Sequence, residues 1–155
     1  MIVDITTGSV KQTKDLAKKI AKELQGGEIL ALNGDLGSGK TSFVQGLGEG
    51  LGIRRPITSP TYVIIKPYKA AVLTLYHMDF YRLKDLNDVK DIGFEEILGE
   101  KKGVLAIEWP KIAESLLPED RLLKMSFSLK SENVRQIIFE WKNKRFDFIK
   151  KISGL

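Results

Sequence analysis

The chain has 155 residues, a formal net charge of +5 and 43% hydrophobic residues, which favours one globular domain, residues 1–155, with a single core. It contains no cysteine, so disulfides and thiolate metal sites are excluded and an intracellular setting is favoured. No basic, apolar leader opens the sequence and no apolar stretch is long enough to span a bilayer, so we expect a cytoplasmic protein with no membrane attachment.

The first segment predicts a short strand followed by an amphipathic helix. Residues 2–5 alternate as a strand does, and Ser9 and Gln12 have the spacing of a capping box at a helix start. The helix carries apolar or small residues on one face and lysines on the other. That face consists of Val10, Thr13, Leu16, Ala17, Ile20, Ala21 and Leu24. Gly26 and Gly27 end the helix.

The strongest functional signal follows a short apolar run at 29–32, which predicts a buried strand. Residues 34–41, Gly-Asp-Leu-Gly-Ser-Gly-Lys-Thr, match the phosphate-binding pattern G-x-x-x-x-G-K-[ST] at every fixed position. Apolar residues at helical spacing over 42–51 predict the next helix, and Gly52 ends it. Strand, glycine-rich loop and helix therefore stand in the order that a phosphate-binding loop requires.

The physical chemistry of this pattern assigns roles to its residues. Glycines let successive backbone amides point at one anion, and the positive end of the following helix adds to the field. The Lys40 ammonium would reach the β- and γ-phosphates, and the Thr41 hydroxyl would ligate Mg²⁺. The other loop residues expected to contact a nucleotide are Asp35, Leu36, Gly37, Ser38, Gly39 and Ser42. The alternative is a glycine-rich turn with an incidental lysine, which the flanking elements disfavour.

A proline-containing segment and a hairpin come next. Residues 54–61 contain two prolines and three hydroxyl residues, so they predict a loop near the nucleotide. Within it, Thr61 is a candidate sensor of the γ-phosphate, although hydroxyl residues are also common in ordinary turns. The apolar runs 62–65 and 72–76 predict two strands, and residues 66–71 join them as a hairpin.

Two acidic residues stand where apolar strands end. Asp79 follows the second strand of the hairpin, and Glu108 ends the apolar part of a buried run at 104–109. An acid in this place usually contacts the metal of a phosphate-loop protein, directly or through water. We therefore expect Glu108 to share Mg²⁺ with Thr41, and Asp79 to lie behind the metal or to orient a water. The alternative for each acid is a loop cap or an ion pair with Arg82.

Two further side chains near these acids are assigned no catalytic chemistry from the residues alone. Trp109 follows Glu108 directly, and the usual burial of aromatic residues favours a core position over one near the nucleotide. His77 is the only histidine, and its neighbours indicate a packed strand position. The chain has no N-K-x-D element of the kind that recognises guanine, so adenine is the favoured base.

The rest of the chain completes an α/β pattern. A helical pattern over 85–98 is interrupted by Gly93 and predicts two short helices, and Pro110 begins a short helix that ends at Leu117. The last predicted elements are strands at 123–129 and 134–141, paired as a hairpin, and a helix at 146–152. We therefore predict a three-layer P-loop NTPase fold with a mixed, partly antiparallel central sheet.

The positive charge is concentrated at the C-terminal end. From Arg121 onward nine Lys and Arg stand against three Asp and Glu, which gives +6, whereas the remainder has 16 basic and 17 acidic residues, which gives −1. A basic segment would suit an RNA or an acidic partner, but a solvated surface is the more common explanation.

Four motifs in this order resemble the TsaE family, the small bacterial ATPases required for threonylcarbamoylation of an adenosine beside the tRNA anticodon. They are residues 34–41, Ser-Pro-Thr-Tyr at 59–62, His-Met-Asp-Phe-Tyr-Arg-Leu at 77–83 and Ile-Glu-Trp-Pro at 107–110. The resemblance implies a mixed-sheet phosphate-loop fold that binds ATP or ADP with Mg²⁺. It also implies action with the catalytic subunit TsaD and its partner TsaB, and so an indirect link to tRNA. The ATP cycle, slow without partners, would reset that complex between turnovers.

The resemblance also assigns residues by position. It places Lys40 on phosphate, Thr41 and Glu108 on Mg²⁺, Thr61 in a switch loop, Asp79 as the family acid, Trp109 beside the nucleotide and Thr13 near the base. Lys40, Thr61, Asp79 and Glu108 are thus the candidate catalytic residues. Two alternatives stay open: a small-molecule kinase, although no arginine-rich lid insertion is visible, and a nucleotide sensor without turnover.

Overall fold

The computed structural model describes residues 1–154, and Leu155, the last residue of the predicted domain, lies outside the described residues. The strands are β1 (Ile2–Thr7), β2 (Ile29–Asn33), β3 (Ile65–Lys69), β4 (Thr74–Asp79), β5 (Gly103–Glu108), β6 (Leu122–Leu129) and β7 (Arg135–Trp141). The α-helices are α1 (Val10–Ala21), α2 (Lys40–Leu51), α3 (Leu86–Asp91), α4 (Phe94–Leu98) and α5 (Phe148–Ile152). Short 3-10 helices cover Pro110–Leu116, Glu119–Arg121 and Lys144–Phe146.

All the strands join one mixed sheet in the order β1-β7-β6-β2-β5-β4-β3. The centre is parallel, because β2 pairs in parallel with both β6 and β5, and β5 pairs in parallel with β4. The edges are antiparallel, since β7 pairs with β6 and β1, and β3 pairs with β4. The predicted mixed, partly antiparallel sheet is therefore confirmed. The carboxyl ends of β2, β4 and β5 and the start of β7 lie at the same end of the sheet, which is the edge formed by the carboxyl ends of the parallel strands.

Helices cover both faces of the sheet, as the predicted three-layer fold requires. Alternate residues of the strands pack with α1, α2 and α5 on one face, and the other residues pack with α3, α4 and the first 3-10 helix on the opposite face. α1 and α2 approach closely at Gly46, where a Cβ atom would lie 2.5 Å from the carbonyl oxygen of Lys14. This contact fixes α2, and with it the loop that precedes α2, against the sheet.

Most predicted elements are present, with shifts of a few residues at their ends. α1 begins as predicted at Ser9, whose hydroxyl accepts a hydrogen bond from the Gln12 amide at 3.1 Å. α2 begins at Lys40 rather than at residue 42, so Lys40 and Thr41 lie in its first turn. Gly93, with a φ of 78°, separates α3 from α4 as predicted.

The prediction of a strand at 62–65 is wrong. The amides of Val63 and Ile64 donate to the carbonyl of Pro60 at 2.9 and 2.7 Å and form a turn, with Ile64 in the left-handed region. The strand lies instead at Ile65–Lys69, so that all of it except Ile65 falls in the segment 66–71 that was predicted as the connection. β3 tolerates Pro67 because it is an edge strand, where the missing amide of proline need not pair on both sides.

The basic C-terminal segment is partly used in ion pairs within the fold. Four of its cations form ion pairs: Lys124 with Glu114, Lys142 with Glu119, Arg145 with Glu28 and Lys150 with Asp147. This pairing favours the solvated-surface interpretation over a continuous patch for RNA. None of the helices within residues 1–154 combines the length and apolar character needed to cross a membrane.

Candidate functional site

The glycine-rich loop joins β2 to α2 at the edge of the sheet where the central strands end. Gly34, Gly37 and Gly39 have φ values of 150°, 77° and 107°, a region that glycine enters without steric penalty. A Cβ atom at Gly34 would lie 2.7 Å from the carbonyl oxygen of Phe127, so the loop is pressed against β6. No side chain caps the start of α2, and its first amides are thus left for a ligand.

Lys40 projects into the cleft above this loop. Its Nζ donates to the carbonyl oxygen of Gly34 and, at 3.3 Å, to that of Asp35, and it lies 4.4 Å from the centre of the Trp109 ring. Burial lowers the pKa of the Lys40 ammonium, while the nearby carboxylates of Glu108, Asp79 and Asp35 act in the opposite direction. The ammonium is therefore a partly desolvated cation whose direct acceptors are backbone carbonyls.

Glu108 lies beside the loop because β5 neighbours β2, and Leu32 near the end of β2 pairs with Glu108. The Thr41 hydroxyl donates to Oε1 of Glu108 at 3.5 Å. The other carboxylate oxygen, Oε2, is hydrogen bonded to Nε2 of His77 at 2.7 Å, and both side chains are buried. A hydroxyl and a carboxylate oxygen are ligands that Mg²⁺ accepts, so this pair has the required donor chemistry.

Asp79 is the neighbour of Glu108, since the two residues are paired across β4 and β5. Its Oδ2 accepts a hydrogen bond from the Thr61 hydroxyl at 3.0 Å, and its Oδ1 accepts one from the Tyr81 amide at 2.9 Å. The hydrogen bond from Thr61 thereby attaches the predicted loop at 54–61 to Asp79, the predicted acid. The alternative partner, Arg82, lies instead over the ring of Tyr62, 4.6 Å from its centre.

The usual burial of aromatic residues favoured a core position for Trp109, whereas the family resemblance placed it beside the nucleotide, and the core position is wrong. The side chain is only partly buried and lines the cleft, where its ring lies over Lys40 and 5.1 Å from the ring of Tyr81. The backbone of Trp109 is left-handed, with a φ of 54°, which is a strained conformation for a bulky residue. The strand therefore ends in a sharp turn at Trp109, directly after Glu108.

These side chains surround one open cleft with a volume of about 300 Å³. The lining residues are Asp35, Leu36, Gly37, Ser38, Gly39, Lys40, Thr41, Ser42, Ser59, Thr61, Asp79, Glu108, Trp109 and Arg135. Every residue predicted for the site is thus in the cleft, with one exception. Thr13 is fully buried between α1 and β1, where its hydroxyl bonds to that of Thr7 at 2.7 Å. The structure gives no support for the predicted place of Thr13 near the base.

Sequence reasoning missed His77 and Arg135. A signal for His77 was present, because it precedes Asp79 by two residues on a strand and so shares the face that carries the acid. No local signal indicated Arg135, whose place beside the loop depends on β7 lying two strands away from β2.

The cleft fits a nucleotide with its metal. Ser38 Oγ is buried without a hydrogen-bond partner in the part of the chain that the structure describes, and it lies within the loop that would hold phosphate. That part of the chain contains no group of three His, Asp or Glu side chains arranged to hold a metal. Mg²⁺ itself usually takes few protein ligands and completes its shell with phosphate oxygens and water.

Comparisons with known proteins point to one family. The family model described as threonylcarbamoyl adenosine biosynthesis protein TsaE matches residues 7–137. A Bacillus subtilis (strain 168) protein named tRNA threonylcarbamoyladenosine biosynthesis protein TsaE is 40% identical over 143 residues, which cover 92% of this chain and 88% of the relative. A Borreliella burgdorferi protein of the same name is 42% identical over 121 residues, 78% of this chain and 88% of the relative. The crystal structure of Bacillus subtilis YdiB matches with a TM-score of 0.81 and 34% identity, covering 99% of this chain and 95% of YdiB.

Proposed function

Because the chain belongs to the TsaE family, we propose that it is a magnesium-dependent ATPase subunit required for forming threonylcarbamoyladenosine in tRNA. The observation that carries the ATPase part is the position of Glu108, whose carboxylate lies 3.5 Å from the hydroxyl of Thr41 at the end of the phosphate loop. The tRNA part is supported by the names of the two relatives, both of which are tRNA threonylcarbamoyladenosine biosynthesis proteins. A cytoplasmic location is part of the proposal, as is adenine as the base.

Binding of the nucleotide is the task of the loop amides and Lys40. The ammonium of Lys40 bonds to the carbonyls of Gly34 and Asp35, which are neutral acceptors. Charged phosphate oxygens are stronger acceptors of an ammonium, so Lys40 would exchange these carbonyls for the β- and γ-phosphates. The glycine amides and the uncapped start of α2 would bind the same phosphate chain.

Thr41 and Glu108 would hold Mg²⁺. When bound, this ion would supply positive charge that offsets the negative charge developing on the phosphates during hydrolysis. Glu108 keeps a fixed orientation because His77 holds its second oxygen at 2.7 Å. Such a buried partner, itself out of contact with the metal, is a common way to orient a ligand.

Asp79 and Thr61 would act on the side of the attacking water. Asp79 is 5% exposed and carries an acceptor oxygen at the cleft, next to Glu108 across the strand pair. Its position suits an acid that orients a water, and the hydroxyl of Thr61 connects it to the loop that would respond to the γ-phosphate. Trp109 covers Lys40 and would limit the access of other water molecules.

The partners follow from the family resemblance: TsaD and TsaB would bind this chain, and its ATP cycle would reset their complex between turnovers. The test is reconstitution of this chain with TsaD and TsaB from the same organism. We expect slow ATP hydrolysis by the chain alone, faster hydrolysis with both partners, and repeated rounds of threonylcarbamoyladenosine formation only with Mg²⁺ and ATP.

The matched variants are Lys40→Met and Lys142→Met. Lys142 is 72% exposed and paired with Glu119, so its replacement controls for the loss of a lysine charge. Lys40→Met should lower turnover at least 100-fold, on the scale of removing one group that stabilises transition-state charge, whereas Lys142→Met should not change it. Transfer of the γ-phosphate to a metabolite would support the kinase alternative, and binding without turnover in any mixture would support the sensor.

A further inference from the structure

Among residues 1–154, Arg135 is the one cation lining the cleft that the family motifs do not include. It is the first residue of β7, and its backbone is paired on both sides, with Thr7 of β1 and Leu129 of β6. The residue is 8% exposed, and its side chain lies against the phosphate loop. A Cβ atom at Gly39 would lie 2.8 Å from both Cδ and Nε of Arg135, so the glycine allows this close approach.

Among residues 1–154, no anionic side chain pairs with the guanidinium of Arg135. Nη1 donates to the carbonyl of Asn133 at 3.1 Å, but Nε is buried and has no partner among the described residues. None of the ion pairs found within residues 1–154 includes Arg135. A buried cation with unsatisfied donors is unfavourable unless an anion reaches it. Arginine suits phosphate because its planar group donates two parallel hydrogen bonds.

We propose that Arg135 binds the phosphates that ADP and ATP share, opposite Lys40 across the loop. The side chain packs on Gly39 of the loop, whose backbone amides cradle the α- and β-phosphates in this pattern. The γ-phosphate and the metal belong to the other side, where Lys40, Thr41 and Glu108 converge. The inference rests on the proposed nucleotide site and adds a residue to it.

The test measures ADP and ATP binding by calorimetry, with and without Mg²⁺, for the full chain and for Arg135→Gln. The control is Arg121→Gln, because Arg121 also donates to one carbonyl, that of Leu98, but precedes β6 at the opposite edge of the sheet. We expect Arg135→Gln to weaken both nucleotides about 10- to 100-fold, on the scale of a hydrogen bond to a charged group, whether or not Mg²⁺ is present. Arg121→Gln should bind like the unchanged chain.

Thermal unfolding separates this role from packing. Without nucleotide, Arg135→Gln should melt at the same temperature as the unchanged chain or higher, since it removes an unpaired buried charge. The increase in melting temperature that ADP produces should be smaller in the variant, because that increase follows affinity. Unchanged affinity, or a lower melting temperature with the full ADP-induced increase, would overturn the proposal.

Three outcomes separate this inference from the proposed function. A loss of affinity for ATP alone would place Arg135 on the γ-phosphate and overturn its assignment to the shared phosphates. If the unchanged chain bound neither nucleotide, the proposed function would fail together with this inference. If the unchanged chain bound both and only Arg135→Gln were without effect, the inference alone would fail.

Discussion

The phosphate loop has two sides of opposite electrostatic character. On the strand side, at the ends of β4 and β5, the carboxylates of Glu108 and Asp79 stand close enough to Lys40 to act on its pKa. The opposite side is formed by the terminal β6–β7 hairpin and is called the hairpin side. There, at the start of β7, Arg135 has no carboxylate partner among residues 1–154. Two cations thus flank one loop, but only one of them is surrounded by acids.

The two sides of the loop therefore differ in what phosphate binding requires. The strand side would require a metal, and the hairpin side could bind an anion directly. On the strand side the acids offset the charge of Lys40, and the polyanionic end of a nucleotide would meet carboxylates there unless a divalent cation intervened. On the hairpin side the positive charge is free of competing acids, so phosphate can approach directly. We therefore expect magnesium dependence to arise on the strand side and metal-independent affinity on the hairpin side.

The largest effect should come from Glu108→Gln, which removes one charge from the strand side and keeps the shape of the side chain. We expect ATP turnover with partners to fall about 100- to 1,000-fold, on the scale of losing one group that stabilises transition-state charge. Binding of ADP without Mg²⁺ should change little or increase, because a negative charge beside the phosphates is removed. Steady-state hydrolysis and calorimetry check the two parts.

The control for Glu108→Gln is Glu114→Gln, an exposed acid paired with Lys124. It should leave turnover and binding unchanged. Full turnover in Glu108→Gln would contradict the assignment of the metal to Thr41 and Glu108, and it would remove the distinction between the two sides.

A smaller effect is expected from His77, which holds Oε2 of Glu108 from inside the sheet. His77→Phe keeps a ring in this fully buried place and removes the hydrogen bond, whereas His77→Gln keeps a side-chain N–H donor. We expect His77→Phe to need about 10-fold more Mg²⁺ for half-maximal turnover, as is usual when the hydrogen-bond partner of a metal ligand is removed. His77→Gln should recover part of this loss. An unchanged Mg²⁺ requirement with a lower melting temperature would make His77 a packing residue only.

The strand side was predictable from the sequence because its signals are local. The loop pattern, the apolar runs before Asp79 and Glu108, and their positions at strand ends all lie within short windows. Parallel strands bring their carboxyl ends to one edge, so acids that end such strands meet there. Periodicity alone could not place Trp109, because a left-handed turn after Glu108 takes its ring out of the core.

The hairpin side was not predictable in the same way. The terminal hairpin itself follows from alternation, but the approach of Arg135 to Gly39 requires that β6 lie beside β2 and that β7 lie beside β6. Nothing in a short window around residue 135 carries that order. The error at 62–65 has a related cause. The amides of Val63 and Ile64 donate to the carbonyl of Pro60 and form a turn, and this turn overrides the strand preference of the apolar run.

The smallest effect should come from Thr61, which links the loop after α2 to Asp79 on the strand side. Thr61→Val removes the 3.0 Å hydrogen bond to Asp79 and keeps the branched shape, whereas Thr61→Ser keeps the hydroxyl. If this loop responds to the γ-phosphate, Thr61→Val should weaken ATP about 5-fold, the scale of one hydrogen bond, and leave ADP unchanged. Thr61→Ser should bind both as the unchanged chain does. An equal loss for ADP and ATP would mean that Thr61 supports the whole site, and the sensing of the γ-phosphate would then have to lie with Lys40 and the metal.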